Sequence, residues 1–228
     1  MTEITITSGL WDHLAPAYSL LSHVFDHDPV LRYIFCDVSD EDFLRCLRPF
    51  WRGLFRTALL NGGVIYQVDG WKTAGVLLPP GKSVDNLWMM VPAAFGFTGV
   101  FWRIGIYGLK RMLRDYSHPV NAAKKRVLEG QEHYYLFALG TEYEHQRKGL
   151  AKALIDSFQQ TAWCLERPIW LEATTEHSRD VFLALHFEVA EEITLGENQV
   201  AADGRKEPGG PGVTLWAMVW WPKECATR

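Results

Sequence analysis

Cysteine is scarce and never in a metal-binding spacing. The chain has four, Cys36, Cys46, Cys164 and Cys225, in 228 residues, with no CxxC pair, which excludes a disulfide framework and a thiolate metal site. The reading is of reduced thiols in an intracellular protein with no metal centre. The opening residues, MTEITITSGL, lack a basic segment followed by an apolar core, so no secretory leader is visible and the cytoplasm is the expected compartment. An excess of positive charge is missing too: 23 Lys and Arg against 27 Asp and Glu give a net charge of −4. That balance argues against a general attraction to nucleic acid or to anionic membranes. There is no GxSxG elbow, no Walker loop and no GxGxxG after a strand. Ten tryptophans are spread without the basic interleaving of a single-strand nucleic-acid surface. Nor does any uncharged run reach bilayer length. LWMMVPAAFGFTGVFW (87–102) falls short of the ~20 residues a span needs. Pro92, Gly96 and Gly99 interrupt it and Arg103 follows, so it reads as a buried helical pair or the apolar wall of a substrate pocket.

What is present is apolar residue in quantity. With 48% hydrophobic content the chain can bury one substantial core, so residues 1–228 are expected to form a single domain. ITIT (4–7) alternates as an edge strand, and WDHLAPAYSLLSHVF (11–25) has helical spacing, closed by Asp28 and Pro29. DEDFLRCLRPFWRGLFRTALL (40–60) reads as a helix bent or broken near Pro49. VIYQVDGWKTAGVLLPPG (64–81) reads as a hairpin turning at Asp69 and Gly70. A helical insertion over 83–130 precedes HYYLFALG (133–140), a continuous apolar run typical of a central strand. GLAKALIDSFQQTAWCLE then offers Leu150, Leu154, Phe158 and Leu165, with Ile155 and Ala162, as one apolar helix face. PIWLEAT (168–174) is a strand, Thr174 or Thr175 an N-cap, and SRDVFLALHF (178–187) a short helix. EVAEEITL and VTLWAMVWW form a closing antiparallel pair around a polar, Gly- and Pro-rich loop (195–212) that is expected to be mobile. The fold class is mixed α+β, with a mostly antiparallel sheet of about six to seven strands flanked by helices.

The chemistry is concentrated in HQRKGLAKAL (145–154), where the central strand ends and an amphipathic helix begins. A helix start presents unpaired backbone N–H groups and the positive end of the dipole, a geometry that binds phosphate. Gly149 lets the backbone approach an anion, Ala151 avoids crowding it, and Arg147 and Lys148 add charge.

YLFALGTEYEHQRKGLAKALI resembles the coenzyme-A-binding core of the GCN5-related N-acetyltransferase (GNAT) superfamily, in which [Q/R]xxGx[G/A] opens a helix after an apolar strand. Gln146, Gly149 and Ala151 match that motif. FDHDPVLRYIF, TAGVLLPPG, PIWLEATTEHSRDVFLALHFEV and VTLWAMVW extend the resemblance in order over most of the chain, and puromycin-acetyltransferase-like members are the nearest subgroup. The resemblance implies that the cofactor is acetyl-CoA. Backbone groups at Leu139, Gly140 and Thr141 would meet its pantetheine arm, and Gln146, Arg147, Lys148, Gly149, Leu150 and Ala151 its pyrophosphate. It implies direct attack by a bound amine on the thioester; the apolar 87–102 run, lying before the central strand where an acceptor-site insertion would sit, points to a small, hydrophobic acceptor. No nucleic acid partner and no membrane span are expected; the oligomeric state stays open, as does N- against O-acetylation.

The pattern departs at Tyr143, where Pro is usual, at Arg147, where the motif's first Gly is common, and more seriously around Phe182. Where many members carry an acidic Tyr five residues before the Phe of a GF pair, this chain has Phe182, with Ser178 in place of the preceding Asn and His186 in place of the Gly. Ser178, His177, Tyr134 and His186 are candidates to replace the acid; Glu172 and His133 are candidates for the base. Two other readings are compatible with Phe182: a fold turned to other chemistry on an apolar metabolite, or a non-catalytic CoA-binding module. His23 and His27, near Asp26 and Asp28, have metal-ligand spacing without a third ligand motif and read as a polar helix end.

Overall fold

The computed structural model describes residues 4–82 and 87–222, with 87–98 as backbone alone. Seven strands run in chain order as β1 (Ile6–Gly9), β2 (Val64–Val68), β3 (Thr73–Leu78), β4 (Tyr134–Thr141), β5 (Ile169–Ala173), β6 (Glu188–Leu195) and β7 (Val213–Trp220). They form one sheet in the order β1-β2-β3-β4-β5-β7-β6. Every pairing is antiparallel except β4 with β5. The helices are α1 (Leu14–Val24), α2 (Pro29–Ile34), α3 (Asp40–Leu60), α4 (Leu87–Lys110), α5 (His118–Leu128), α6 (Leu150–Cys164) and α7 (Glu176–Ala184), with a π-helical turn at Arg111–Ser117 joining α4 to α5. The mixed α/β class and the sheet of seven strands agree with the sequence reading.

Alternation along the strands, reset once where the β3–β4 register shifts between Val76 and Leu77, divides the core into two layers. Tyr135, Ala138, Trp170, Leu215 and Ala217 face α1, α2, α3 and α5. Tyr134, Leu136, Ile169, Leu171 and Met218 face α6 and α7. Leu150, Leu154, Ile155, Phe158 and Ala162 are the buried residues of α6, each large side chain contributing roughly 1.5–3 kcal/mol on burial. Leu165 does not join them: the helix ends at Cys164, and Leu165 turns outward, 56% exposed.

Other local expectations shift. Asp28 and Pro29 do not close α1; they open α2, with the Asp28 carboxylate accepting the Leu31 N–H and Pro29 in the first turn, where it has no amide to leave unpaired. Helix α3 runs unbroken through Pro49. Helix α7 starts at Glu176, two residues before the expected start, because Thr175 caps it. The 195–212 connection, expected to be mobile, folds on itself through Asn198 N–H to Gly210 O and Ala201 N–H to Arg205 O, both 2.8 Å. It lies on α2 and the start of α3: Arg205 pairs with Asp40, and Lys206 with Asp37. Gly204 (φ +84°) sits so close that a Cβ there would lie 2.3 Å from the Pro29 carbonyl oxygen.

Candidate functional site

Strands β4 and β5 pair only at Tyr134 with Ile169 and Tyr135 with Trp170. Beyond that point β4 follows β3, and β5 follows β7, so the two part. From Leu136 onward the β5-facing edge of β4 has no strand partner, and its backbone polar groups need another. The gap is a cavity of about 1180 Å³ that reaches through the sheet, bounded by Leu136, Leu171 and Phe182 on the α6 side and by Tyr135, Phe137 and Glu172 on the α1 side.

One end of the cavity is the motif segment. After β4 a short turn (Tyr143–His145) leads to Arg147 (φ 59°) and Gly149 (φ 78°), both left-handed. Gly149 caps α6 without any side-chain hydrogen bond, and a Cβ there would meet nothing within 4 Å. The first amides of a 15-residue helix are therefore left for an external acceptor. Gln146 folds back to donate from Nε2 to the Thr141 carbonyl at 3.3 Å. Leu139, Gly140, Thr141, Gln146, Arg147, Gly149, Leu150 and Ala151 all line the cavity. Lys148 does not: its Nζ donates to the Glu144 carbonyl at 2.8 Å and stands 3.3 Å from His145 Nδ1. A backbone carbonyl of the turn attracts the ammonium, whereas the positive end of the α6 dipole repels it.

The other end is aromatic and acidic. Phe25, Phe50, Trp51 and Phe137 line it, Trp51 stacking at a tilt on Phe25 with centroids 4.9 Å apart. Two carboxylates face this end. Glu172 accepts from Tyr135 Oη at 2.7 Å and from Trp170 Nε1 at 2.6 Å. Asp28, 6% exposed, accepts from the Leu31 N–H at 2.8 Å and from Thr174 Oγ1 at 2.5 Å. Burial pushes the Asp28 carboxyl up to about 6, against the opposing pull of its bonds to Thr174 and the Leu31 amide. Trp170, Glu172 and Thr174 alternate along one strand direction, which puts Glu172 and the Asp28 partner on one side.

The remaining candidates divide. Ser178 lines the cavity but is engaged in a capping box, its hydroxyl donating to the Thr175 carbonyl at 2.9 Å and accepting the Thr175 N–H at 3.1 Å. His133 stands apart from the lining. It is half-buried, its Nδ1 lies 3.2 Å from the Gln131 carbonyl, and burial lowers its pKa. His177 lines the cavity, whereas Tyr134 and His186 do not. Phe182 is buried, borders the cavity and packs edge-on against Phe187 at 5.4 Å. Sequence reasoning missed Asp28 and Tyr135 as site residues. An Asp followed by Pro is a helix-start signal, but the Thr174 contact spans 146 positions and leaves no local trace.

His27 is exposed and His23 faces Glu142 at 3.5 Å; among the described residues no three His, Cys, Asp or Glu form a metal-sized group. Cys36, Cys46 and Cys164 are free, and Cys225 lies outside the described residues. No helix among the described residues is long and apolar enough to cross a membrane.

A sheet parted between β4 and β5, with an uncapped helix opening on the gap, defines the fold of the GCN5-related N-acetyltransferases. No protein-family model matches the chain. Over its whole length the chain is similar to a histone acetyltransferase HPA2-related acetyltransferase from Corynebacterium glutamicum, with a TM-score of 0.65, 16% identity, and 99% of this chain and 100% of that one covered. Arylalkylamine N-acetyltransferase 2 from Aedes aegypti superposes with a TM-score of 0.56 and 15% identity, covering 97% and 100%. By sequence, an uncharacterized N-acetyltransferase of Schizosaccharomyces pombe is 23% identical over 186 residues, 81% of this chain and 74% of that protein.

Proposed function

We infer that the protein is an acetyl-CoA-dependent N-acetyltransferase acting on a small amine with an apolar body. The observation that carries this reading is the continuity of one cavity from the uncapped start of α6, through the β4–β5 gap, to the aromatic end holding Asp28 and Glu172. The residues present fit acetyl-CoA: the amides of α6 and Arg147 suit a pyrophosphate, and the unpaired β4 edge from Leu139 to Thr141 suits an amide-bearing arm. Bound there, the group would supply an activated acetyl thioester. The finer likeness to puromycin-acetyltransferase-like members rests on the sequence motifs alone.

The chain's own contributions follow from the geometry. Glu172, held by Tyr135 and Trp170, attracts an ammonium into the aromatic end, where the ring faces add cation–π attraction. Asp28, with its proton affinity raised by burial, accepts the proton that the nitrogen must lose to become a nucleophile. Thr174 fixes the orientation of that carboxylate. Phe182 supplies no proton, which suits a thiolate leaving group whose conjugate acid has a pKa near ~8.5. The acceptor wall includes Met112, Leu113, Tyr116 and Val120 from the segment between β3 and β4. The side chains of 87–98, part of the apolar run expected to form that wall, lie outside the described residues.

Isothermal titration with acetyl-CoA, followed by thiol release with a panel of amines, tests the reading. Micromolar binding and turnover of apolar amines are expected. Absence of binding up to millimolar concentration overturns it.

A further inference from the structure

The segment from Leu87 to Arg114 contains no Asp or Glu, yet holds Arg103, Lys110, Arg111 and Arg114, in a chain whose net charge is −4. Its outer face is as unusual as its charge. Trp102 is 89% exposed, Ile106 77% and Tyr107 69%, the three most exposed large apolar side chains among the described residues. Val100 and Ile104 on the opposite face are buried, so the helix is anchored by one side and displays the other. Gly105 (φ 60°, ψ −168°) breaks the helical path between Trp102 and Ile106.

Two of the four cations are committed to carboxylates. Arg111 turns inward to Asp37 at 2.6 Å, and Arg103 reaches Asp42 at 3.8 Å. Lys110 and Arg114 make no ion pair among the described residues. A Trp, an Ile and a Tyr exposed on the same helix as Lys110 and Arg103 are the elements of an interfacial helix, whose rings enter the headgroup region while the cations meet lipid phosphates. A second copy of this chain would bring the same positive face against itself, which charge disfavours, and a cluster of exposed apolar side chains marks an interaction surface.

We propose that the exposed side chains on the two sides of the Gly105 kink in α4, Trp102 before it and Ile106, Tyr107 and Lys110 after it, dock the protein on the surface of an anionic lipid bilayer. No helix among the described residues can span one, so the attachment is peripheral. Leu113, one turn beyond Lys110, is 38% exposed and also lines the cavity. The docked face therefore stands at the mouth of the acceptor end. On the acetyltransferase reading above, an apolar amine dissolved in the lipid reaches the site from the bilayer; the docking itself does not depend on that reading.

The test is co-sedimentation of the full chain with vesicles of phosphatidylcholine alone or with 30 mol% phosphatidylglycerol, about that fraction being enough to make the surface clearly negative. Expected is binding to the anionic vesicles that is lost in high salt. It should weaken by about fivefold for each of Lys110→Ala and Arg114→Ala, and by at least about tenfold for the Trp102→Ser, Ile106→Ser pair. These positions are exposed, so unchanged thermal unfolding confirms that the variants are folded. Equal binding by the variants, or no preference for anionic vesicles, overturns the proposal. So does a dimer in solution that the Trp102→Ser, Ile106→Ser pair dissociates, since a second copy would then cover the face. Acetyl-CoA titration run in parallel separates failure of docking from failure of the acetyltransferase reading.

Discussion

Replacing Asp28 by Asn should make the protein less active and, at alkaline pH, more stable. The carboxyl is 6% exposed and its pKa is raised from 3.8 to about 6. The folded state thus holds the proton more tightly than the unfolded chain does. The stabilisation from the protonated form is complete below pH 3.8 and is lost as pH rises through 6. By linkage, a carboxyl raised that far costs the folded state roughly 3 kcal/mol at pH 8 relative to acid. The amide of Asp28→Asn mimics the neutral acid: its carbonyl can accept the Leu31 N–H, and its NH₂ can donate to Thr174 Oγ1. The variant should therefore match the native protein near pH 4 and exceed it by up to about 3 kcal/mol at pH 8, measured by urea unfolding. Activity should move the other way. A general base is worth roughly 10²–10⁴ in rate, so kcat with saturating amine and acetyl-CoA should fall by that factor. The rising limb of kcat, with a midpoint near pH 6, should vanish with it. Glu172→Gln serves as the comparison and should raise KM for the amine while leaving the limb in place. If Asp28→Asn keeps the limb, or is destabilised at pH 8, the carboxylate is only a helix cap and the assignment of the base fails.

Three further outcomes follow from the same geometry. Gly149→Ala should weaken acetyl-CoA binding by more than tenfold in titration calorimetry while lowering stability by only about 1 kcal/mol, because the new Cβ meets no protein atom and the cost is that of a left-handed backbone. A loss of several kcal/mol would show instead that Gly149 is required for packing. Phe182→Tyr places a phenol at the cavity wall and should raise kcat if departure of the thiolate limits turnover, by up to about 10² in stopped-flow thiol release; an unchanged rate places the slow step elsewhere. Gly204→Ala should destabilise by about 2–4 kcal/mol, since its Cβ would lie 2.3 Å from Pro29 O and 2.7 Å from Tyr33 N. It should also lower kcat through displacement of α2 and its cap Asp28, and unaffected kcat at full folding would show that the loop does not hold Asp28 in place.

The sequence determined what depends on near neighbours. A continuous apolar run marked β4, helical spacing marked α6, and the Gln146, Gly149 and Ala151 pattern marked the helix start that opens on the cavity, because a turn and a helix N-terminus are properties of a few consecutive residues. Tertiary structure decided what depends on distant partners. Whether Lys148 points into the cavity or onto the Glu144 carbonyl is a competition between acceptors, and Leu165 is apolar by composition but lies past the end of α6. His133 and Glu172 were alike as candidate bases in the linear chain. Only the parting of β4 and β5 separates them, leaving one apart from the cavity lining and the other inside it. Asp28 shows the division most plainly: its place as a cap is written in the Pro that follows it, whereas its burial and raised proton affinity come from Thr174 and the layers that close over both.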